Sequence, residues 1–461
     1  MRPHAEIDAA ELLEWQARGA RVVDVREEFE LLSGVIPGAE SLPLSRFLDG
    51  VDGLAGAPVV FVCASGSRSR DAAAYMAGME PFTTASNYSW GAIALFILMG
   101  QFAFRSGIVE RLYRAVDRWL GHLPGGIAMA TILACAGFSA VSSSSVATAA
   151  TMGAVALPEM KRYGYQPALA TGTVAAGGTL GILIPPSAML IMYGVLTQTS
   201  VGKLFLAGIL PGALLAILFM VTVLIRALRN PSIAPPGARS SMKQRITALP
   251  GVIDMVLLIV LVLGGLWGGL FTPNEAGAVG AAGALVIALA RRKLSGRAFV
   301  DAVVETVGTT AMIITIVIGT MIFNRFLTLT AIPNWLASTV EGLALPSTVI
   351  IIMILILYAL LGCVFDTVAI LLLTIPILFP ATQVLGVDPI WFGVALTVTA
   401  EMGLITPPIG MNVFVIAGVA PDVPMSVIFR GIAPFLIPMV LLIALLIIFP
   451  QIALALVHLV Y

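Results

Sequence analysis

One pattern constrains this chain more than any other: a proline pair flanked by apolar sequence occurs twice, 222 residues apart. The first copy reads GGTLGILIPPSAML, with Gly178, Thr179, Gly181, Pro185 and Pro186. The second reads TAEMGLITPPIGMN, with Glu401, Gly403, Thr406, Pro407, Pro408 and Asn412. The same offset pairs Leu123-Pro124 with Leu345-Pro346, Pro158 with Pro380, Gly164 with Gly386 and Pro167 with Pro389. Such a register over tens of residues marks an internal repeat. A doubled apolar segment interrupted by Gly and Pro is the sequence pattern of a secondary-transport site.

Composition decides the solvent. Of the 461 residues, 59% are hydrophobic and only 11% charged, against roughly 25% charged in a soluble domain. From about residue 86 the chain reads as an all-α polytopic membrane protein. Net charge is zero, which argues against a nucleic-acid partner. Cys63, Cys135 and Cys363 are too far apart for a metal or disulfide framework. Met1 to Ala20 is polar and of mixed charge, unlike a secretory leader.

Two pairs of apolar segments are too short and too tightly joined to cross separately: 124–141 with 145–160, and 346–363 with 367–385. Each arm is roughly 24–30 Å long at 1.5 Å per residue. They are expected to be re-entrant helical hairpins, whose irregular tips are tolerated only within protein or beside water. The apolar stretches 167–197 and 389–418 are expected to be single helices broken at Pro185-Pro186 and Pro407-Pro408.

Basic residues then set the sides. Arg226 to Arg245 and Arg291 to Arg297 mark two cytoplasmic loops, two spans apart. Counting from them puts Arg105 to Arg118, Lys161-Arg162 and Arg430 on the cytoplasmic side as well. Segments 326–345 and 381–388 become periplasmic loops, and neither holds Lys or Arg. The hairpins therefore enter from opposite sides, and the repeat is inverted about an axis in the membrane plane. Repeat 1 runs over about 80–228 and repeat 2 over about 250–449.

The candidate ion and substrate residues follow from these breaks. Freed carbonyls near Pro185-Pro186 and Pro407-Pro408 suit Na⁺, and half-helix N-termini suit an anion; the alternative is a simple kink. Ser142, Ser143, Ser144 and Ser145 offer hydroxyl and carbonyl oxygens at the first tip, or else close helix packing. The second tip spans Gly362 to Thr367. Its Asp366, at the repeat position of Ser144, is a functional candidate, a helix cap, or both. Glu401 and Asn412 flank the second break, as ligands or as structural polar partners. Arg111, Arg114 and Arg118, with Glu110, form an interfacial arm without assigned chemistry.

These residues resemble the large membrane subunit of tripartite ATP-independent periplasmic (TRAP) transporters. The motifs are ALFILMG (94–100), GHLPGG (121–126), LIPPS (183–187), GKLFLAGILPG (202–212), ILLLTIPILFP (370–380), DPIWFGV (388–394) and EMGLITPPIGMNVFV (401–415). The resemblance covers 80–461, about four-fifths of the chain. It implies an elevator-type Na⁺ symporter in a bacterial inner membrane, carrying organic acids such as C4-dicarboxylates. It also implies two partners, a small membrane subunit and a periplasmic substrate-binding protein. Thr148 departs from the pattern, standing where the family commonly has Asp.

Residues 1–79 differ in kind, with strand-like runs at Ala20 to Val25 and Pro58 to Val62. VVDVREEFE (22–30), GVIPGAESLPL (34–44) and the loop from Cys63 to Arg68 resemble a rhodanese domain cut short, a partial α/β unit. That resemblance implies catalytic roles for Cys63, as persulfide carrier, and Arg68, which lowers its pKa. The 222 offset adds a further expectation. Counterparts of the spans 250–270 and 276–290 fall near 28–48 and 54–68, and neither reads as a membrane helix. Repeat 1 is thus expected to lack two scaffold helices. The alternatives to a permease are a membrane-tethered sulfurtransferase and a fusion without function.

Overall fold

The computed structural model describes residues 9–27, 30–31, 36–47, 51–54, 59–63, 82, 84–329, 332–342 and 345–461. The chain divides into two compact units, Met1–Asn87 and Tyr88–Tyr461.

The first unit carries helix Ala9–Ala17 and a parallel sheet of β1 (Arg21–Asp24), β2 (Glu40–Ser41) and β3 (Val59–Val62), in the order β2-β1-β3. The apolar runs read as strands are β1 and β3; β2, within GAESLPL, was not anticipated. Val23, Val25, Phe47 and Leu54 form its small core. Arg21 ties the two edge connections together, bonding Glu40 at 2.8 Å and the Gly53 carbonyl at 2.5 Å.

The second unit is helical. Among the described residues, seven helices are long and apolar enough to cross a membrane. The repeat is visible helix by helix. Gly91–Arg105 turns by 64° into an amphipathic arm, Ile108–Leu120. The bend falls at Gly107, whose φ of +71° suits glycine. The first hairpin follows, Gly126–Ser142 and Ser145–Arg162. The first broken helix runs Pro167–Gly178, Leu180–Leu183 and Ala188–Thr197, and then Val201–Arg229 crosses. In repeat 2 the same series is Gly296–Leu329, the arm Ile332–Gly342, the hairpin Ser347–Gly362 and Thr367–Val384, the broken helix Pro389–Gly403 and Met411–Val419, and Met425–Ile448.

Two helices correct the sequence reading. Segment 326–345, expected to be a loop, holds the arm Ile332–Gly342, the repeat partner of Ile108–Leu120. Its short length and polar Asn334, Ser338, Thr339 and Glu341 hid it among spans defined by apolar length. The helix Gln451–Val460 lies beyond the last span that was recognised.

Helices Pro250–Ile259, continuing through a π-turn to Trp267, and Pro273–Ala290 open repeat 2. Where the offset puts their counterparts, the described residues hold β2, the short turns Leu44–Arg46 and Val51–Leu54, and β3. No membrane helix is found there among the described residues.

Contacts sort the loops as the charge count does. Gly125 and Gln166, at the base of the first hairpin, donate to the carbonyls of Ala234 and Ile233 in the basic loop. Lys161 pairs with Asp422 at 2.5 Å, joining that base to the end of the second broken helix. On the other side, Asn274 donates to the Tyr88 carbonyl and the Tyr193 hydroxyl to the Pro389 carbonyl. Of the seven spans, the first broken helix is the most enclosed, 83% buried over its most apolar stretch, whereas Gly296–Asn324 is 22% buried. The first broken helix thus sits near the centre and Gly296–Asn324 at the periphery.

Candidate functional site

Each break packs against its own hairpin tip, and glycine makes that approach feasible. A Cβ on Gly181 would lie 2.6 Å from the Ser144 carbonyl oxygen, and one on its repeat partner Gly403 would lie 2.4 Å from Gly362 Cα. Gly362 is in turn closed by the Ala400 carbonyl, 2.8 Å from where its Cβ would stand. Gly178 is as confined, facing Ala149 at 2.8 Å and Asn412 Nδ2 at 3.2 Å. Backbone therefore touches backbone at both tips. Both Pro185-Pro186 and Pro407-Pro408 are joined by cis peptide bonds. The first pair is buried and the second exposed.

The hydroxyls at the first tip are all engaged. Ser142 Oγ and Thr148 Oγ1 share a hydrogen bond of 2.6 Å, and Ser143 donates to the Pro186 carbonyl at 2.8 Å. Ser144 caps the returning helix by accepting from Ala147 N. Ser145 donates to Glu401 Oε2. At the second tip Asp366 caps the helix Thr367–Val384, accepting from Val368 N at 3.0 Å. The capping role considered for it is the one its side chain performs here. Cys363 of that tip accepts from the amides of Ile409 and Gly410, just past Pro407-Pro408.

Glu401 is the centre of the arrangement. It is 1% exposed. Ser145 reaches one carboxylate oxygen, and Thr367 donates to the other at 3.4 Å. Ser145 and Thr367 are repeat partners, each the first residue of a returning hairpin helix. One carboxylate thus joins both tips. The repeat position of Glu401 is Thr179, whose hydroxyl bonds only the Ala176 carbonyl of its own helix, at 2.7 Å. The Thr406 hydroxyl likewise bonds back, to Met402 O at 2.6 Å.

Asn412 links the second break to the first broken helix, donating to the Ala175 carbonyl at 3.4 Å. It is fully buried, and its Oδ1 has no partner among the described residues; nor has the buried Thr173 Oγ1. An unpaired buried acceptor costs about 1–3 kcal/mol, so Oδ1 is available to a cation or donor. Sequence reasoning passed over Thr173, Ser187 and the Cys363 carbonyl. Ser187 caps Ala188–Thr197 by accepting from Leu190 N, and the S of LIPPS was the signal for it.

In the first unit, Cys63 follows directly on β3, at the carboxyl end of a parallel sheet where α/β sites form. Arg68 lies outside the described residues.

A helical membrane protein with inverted repeats, two re-entrant hairpins and two broken helices meeting at a buried polar junction has a secondary-transporter fold. The comparison of sequences narrows this. Residues 53–452 match the family described as "Tripartite ATP-independent periplasmic transporter, DctM component", and the chain belongs to that family, the TRAP large permeases. Residues 8–94 match a rhodanese-like domain. The chain is 38% identical to the C4-dicarboxylate TRAP transporter large permease protein DctM of Pseudomonas aeruginosa, over 81% of this chain and 87% of that one. It is 33% identical to the sialic acid TRAP transporter large permease protein SiaM of Vibrio cholerae, over 80% and 86%. Its fold resembles the Alcanivorax borkumensis YdaH transporter, with a TM-score of 0.62 at 15% identity, covering 82% and 88%.

Proposed function

We propose that this large permease takes up an organic acid by Na⁺ symport through an elevator motion, with C4-dicarboxylates the first substrates to test. The hairpins and broken helices are the moving body. The helices Val201–Arg229, Pro250–Trp267, Pro273–Ala290 and Gly296–Leu329 are the frame.

The observation that carries the reading is the shared bonding of Ser145 and Thr367 to Glu401. It ties two oppositely entering hairpins into one unit, as a body that moves whole requires. The cation travels as cargo. Its oxygen donors are the carbonyls freed at the breaks, the hydroxyls of Ser142 and Thr148, and the unpartnered Asn412 Oδ1. An all-oxygen set suits a hard ion. The named substrates of the two relatives, a C4-dicarboxylate and sialic acid, support the class of acids rather than one member. A periplasmic binding protein and a small membrane subunit are the proposed partners, in a bacterial inner membrane.

The test is uptake of labelled succinate by proteoliposomes holding this chain, its small subunit and a loaded binding protein. Uptake driven by an inward Na⁺ gradient is expected. Equal uptake with K⁺ sinks Na⁺ coupling, and no uptake of any carboxylate the binding protein delivers sinks the substrate class.

A second activity is favoured by Cys63 at the end of β3 and the rhodanese-like match. The expectation is sulfur transfer from thiosulfate to cyanide, lost in Cys63→Ala; wild-type protein that forms no thiocyanate ends that reading.

A further inference from the structure

A cleft among the described residues lies away from the breaks, on the face of the basic loops. It has a volume of about 380 Å³, and Arg111, Arg114, Arg118, Arg291, Gln244 and Thr247 line it. That volume falls within the range of roughly 300–1,000 Å³ typical of small-ligand sites.

Three of the arginines come from one arm. In Ile108–Leu120 the apolar Ile108, Val109, Leu112, Tyr113 and Val116 are buried, which turns the arginines to the other face. The charges are only partly compensated. Asp254 accepts from Arg111 at 2.8 Å and from Arg291 at 2.9 Å, so one carboxylate serves two guanidiniums. Arg114 donates to the Glu110 backbone carbonyl at 3.2 Å, not to its carboxylate, and Arg118 only to Ser240 at 3.5 Å. Neither Arg114 nor Arg118 has an ion-pair partner among the described residues. A guanidinium carries five N–H donors, so most of those on Arg114 and Arg118 remain unspent. The buried Nε of Arg111 also lacks a partner. Four guanidiniums line the cleft, two of them sharing Asp254 and two without an ion pair among the described residues, and such a set makes a receptor for phosphate oxygens.

The surroundings select an amphiphile. Helix Pro250–Ile259 begins at the cleft wall, and its Ile253, Leu257 and Val260 neighbours are 54%, 56% and 63% exposed at i, i+4 and i+7 spacing. The short helix that carries Gln244 and Thr247 exposes Met242 and Ile246 beside them. A headgroup held by the arginines would lay its acyl chains along this stripe. Basic pockets between helices on the cytoplasmic side are suited to such headgroups.

We propose that this cleft binds the phosphate headgroup of an anionic phospholipid of the cytoplasmic leaflet. The lipid bridges the repeat-1 arm to the start of the repeat-2 frame, completing the link that Asp254 begins.

Binding by the delipidated full chain in detergent is to be measured with phosphatidylglycerol, phosphatidylcholine and inorganic phosphate, by native mass spectrometry. Phosphatidylglycerol is expected to bind more tightly than phosphatidylcholine, and excess phosphate to leave it bound. The double variant R114Q/R118Q spares the Asp254 clamp. It is expected to lose about 30-fold in phosphatidylglycerol affinity, each surface arginine being worth roughly fivefold. The single variant R114Q, with an expected loss of about fivefold, keeps the test readable if the double variant unfolds. Equal binding of the two lipids, or unchanged affinity in the folded variants, overturns the proposal. Displacement of the lipid by inorganic phosphate also overturns it and makes the cleft a soluble-anion site.

Discussion

Gly403→Ala tests the central packing most directly. The new Cβ would stand 2.4 Å from both Cα and C of Gly362 and 2.9 Å from Cys363 N. Carbon pairs prefer about 3.5–4.0 Å, so the second tip must withdraw by about 1 Å or more. All three obstacles are backbone atoms, and no side chain can rotate away. The Cys363 carbonyl, which accepts from Ile409 and Gly410 at 3.2 and 3.4 Å, would be pulled along. Overpacking at about 1–3 kcal/mol, with two weakened hydrogen bonds near 1 kcal/mol each, gives a loss of about 3–5 kcal/mol. The control is Gly418→Ala on the adjoining helix, where nothing lies within 4 Å. That change is expected to be neutral or to stabilise by about 0.5–1 kcal/mol through helix propensity. Thermal unfolding in detergent and Na⁺-driven uptake should both fall for Gly403→Ala and not for Gly418→Ala. A Gly403→Ala protein with wild-type midpoint and uptake would refute the claim that backbone contact holds break and tip together.

Asp366→Ala removes the cap of Thr367–Val384 and should cost about 0.5–2 kcal/mol. Asp366→Asn keeps a capping oxygen, so stability retained with uptake lost would assign the charge to transport, whereas uptake retained would leave a cap alone. Glu401→Leu strands the Ser145 and Thr367 hydroxyls, and a destabilisation of about 1–3 kcal/mol per hydroxyl is expected, with Glu401→Gln milder because it keeps an acceptor; equal stability of the three proteins would contradict the shared bonding. Lys161, by its hydrogen bond, holds the Asp422 carboxyl below the usual carboxylate range. A lowered folded pKa contributes stability above the unfolded value, about 3.9, and loses it as pH falls through the folded one. The pair is exposed and its effect small, so wild type and Asp422→Asn should differ slightly near neutrality and converge in acid; a gap that widens in acid would reverse the assignment.

The features legible in the sequence are those written into short stretches of chain. Apolar lengths too short to cross made the hairpins visible, and Pro185-Pro186 and Pro407-Pro408 marked the breaks, because backbone hydrogen bonding inside a bilayer leaves few options. The 222 offset then assigned partners, and Ser145 and Thr367, or Gly181 and Gly403, keep equivalent places in the fold. Lys and Arg sorted the loops into the two sets that contact each other. The arm Ile332–Gly342 was not legible because it is only 11 residues long and carries Asn334, Ser338, Thr339 and Glu341.

What only the tertiary structure decided is where the repeated parts meet. Offset arithmetic pairs Glu401 with Thr179, yet Thr179 bonds within its own helix while Glu401 collects Ser145, 256 residues away, and Thr367. It also pairs the two tips, yet leaves Pro185-Pro186 buried and Pro407-Pro408 exposed. The reason is physical: a repeat specifies the path of each half through local hydrogen bonding and apolar length, whereas contacts between the halves depend on how two helical bodies pack, which no spacing along the chain records.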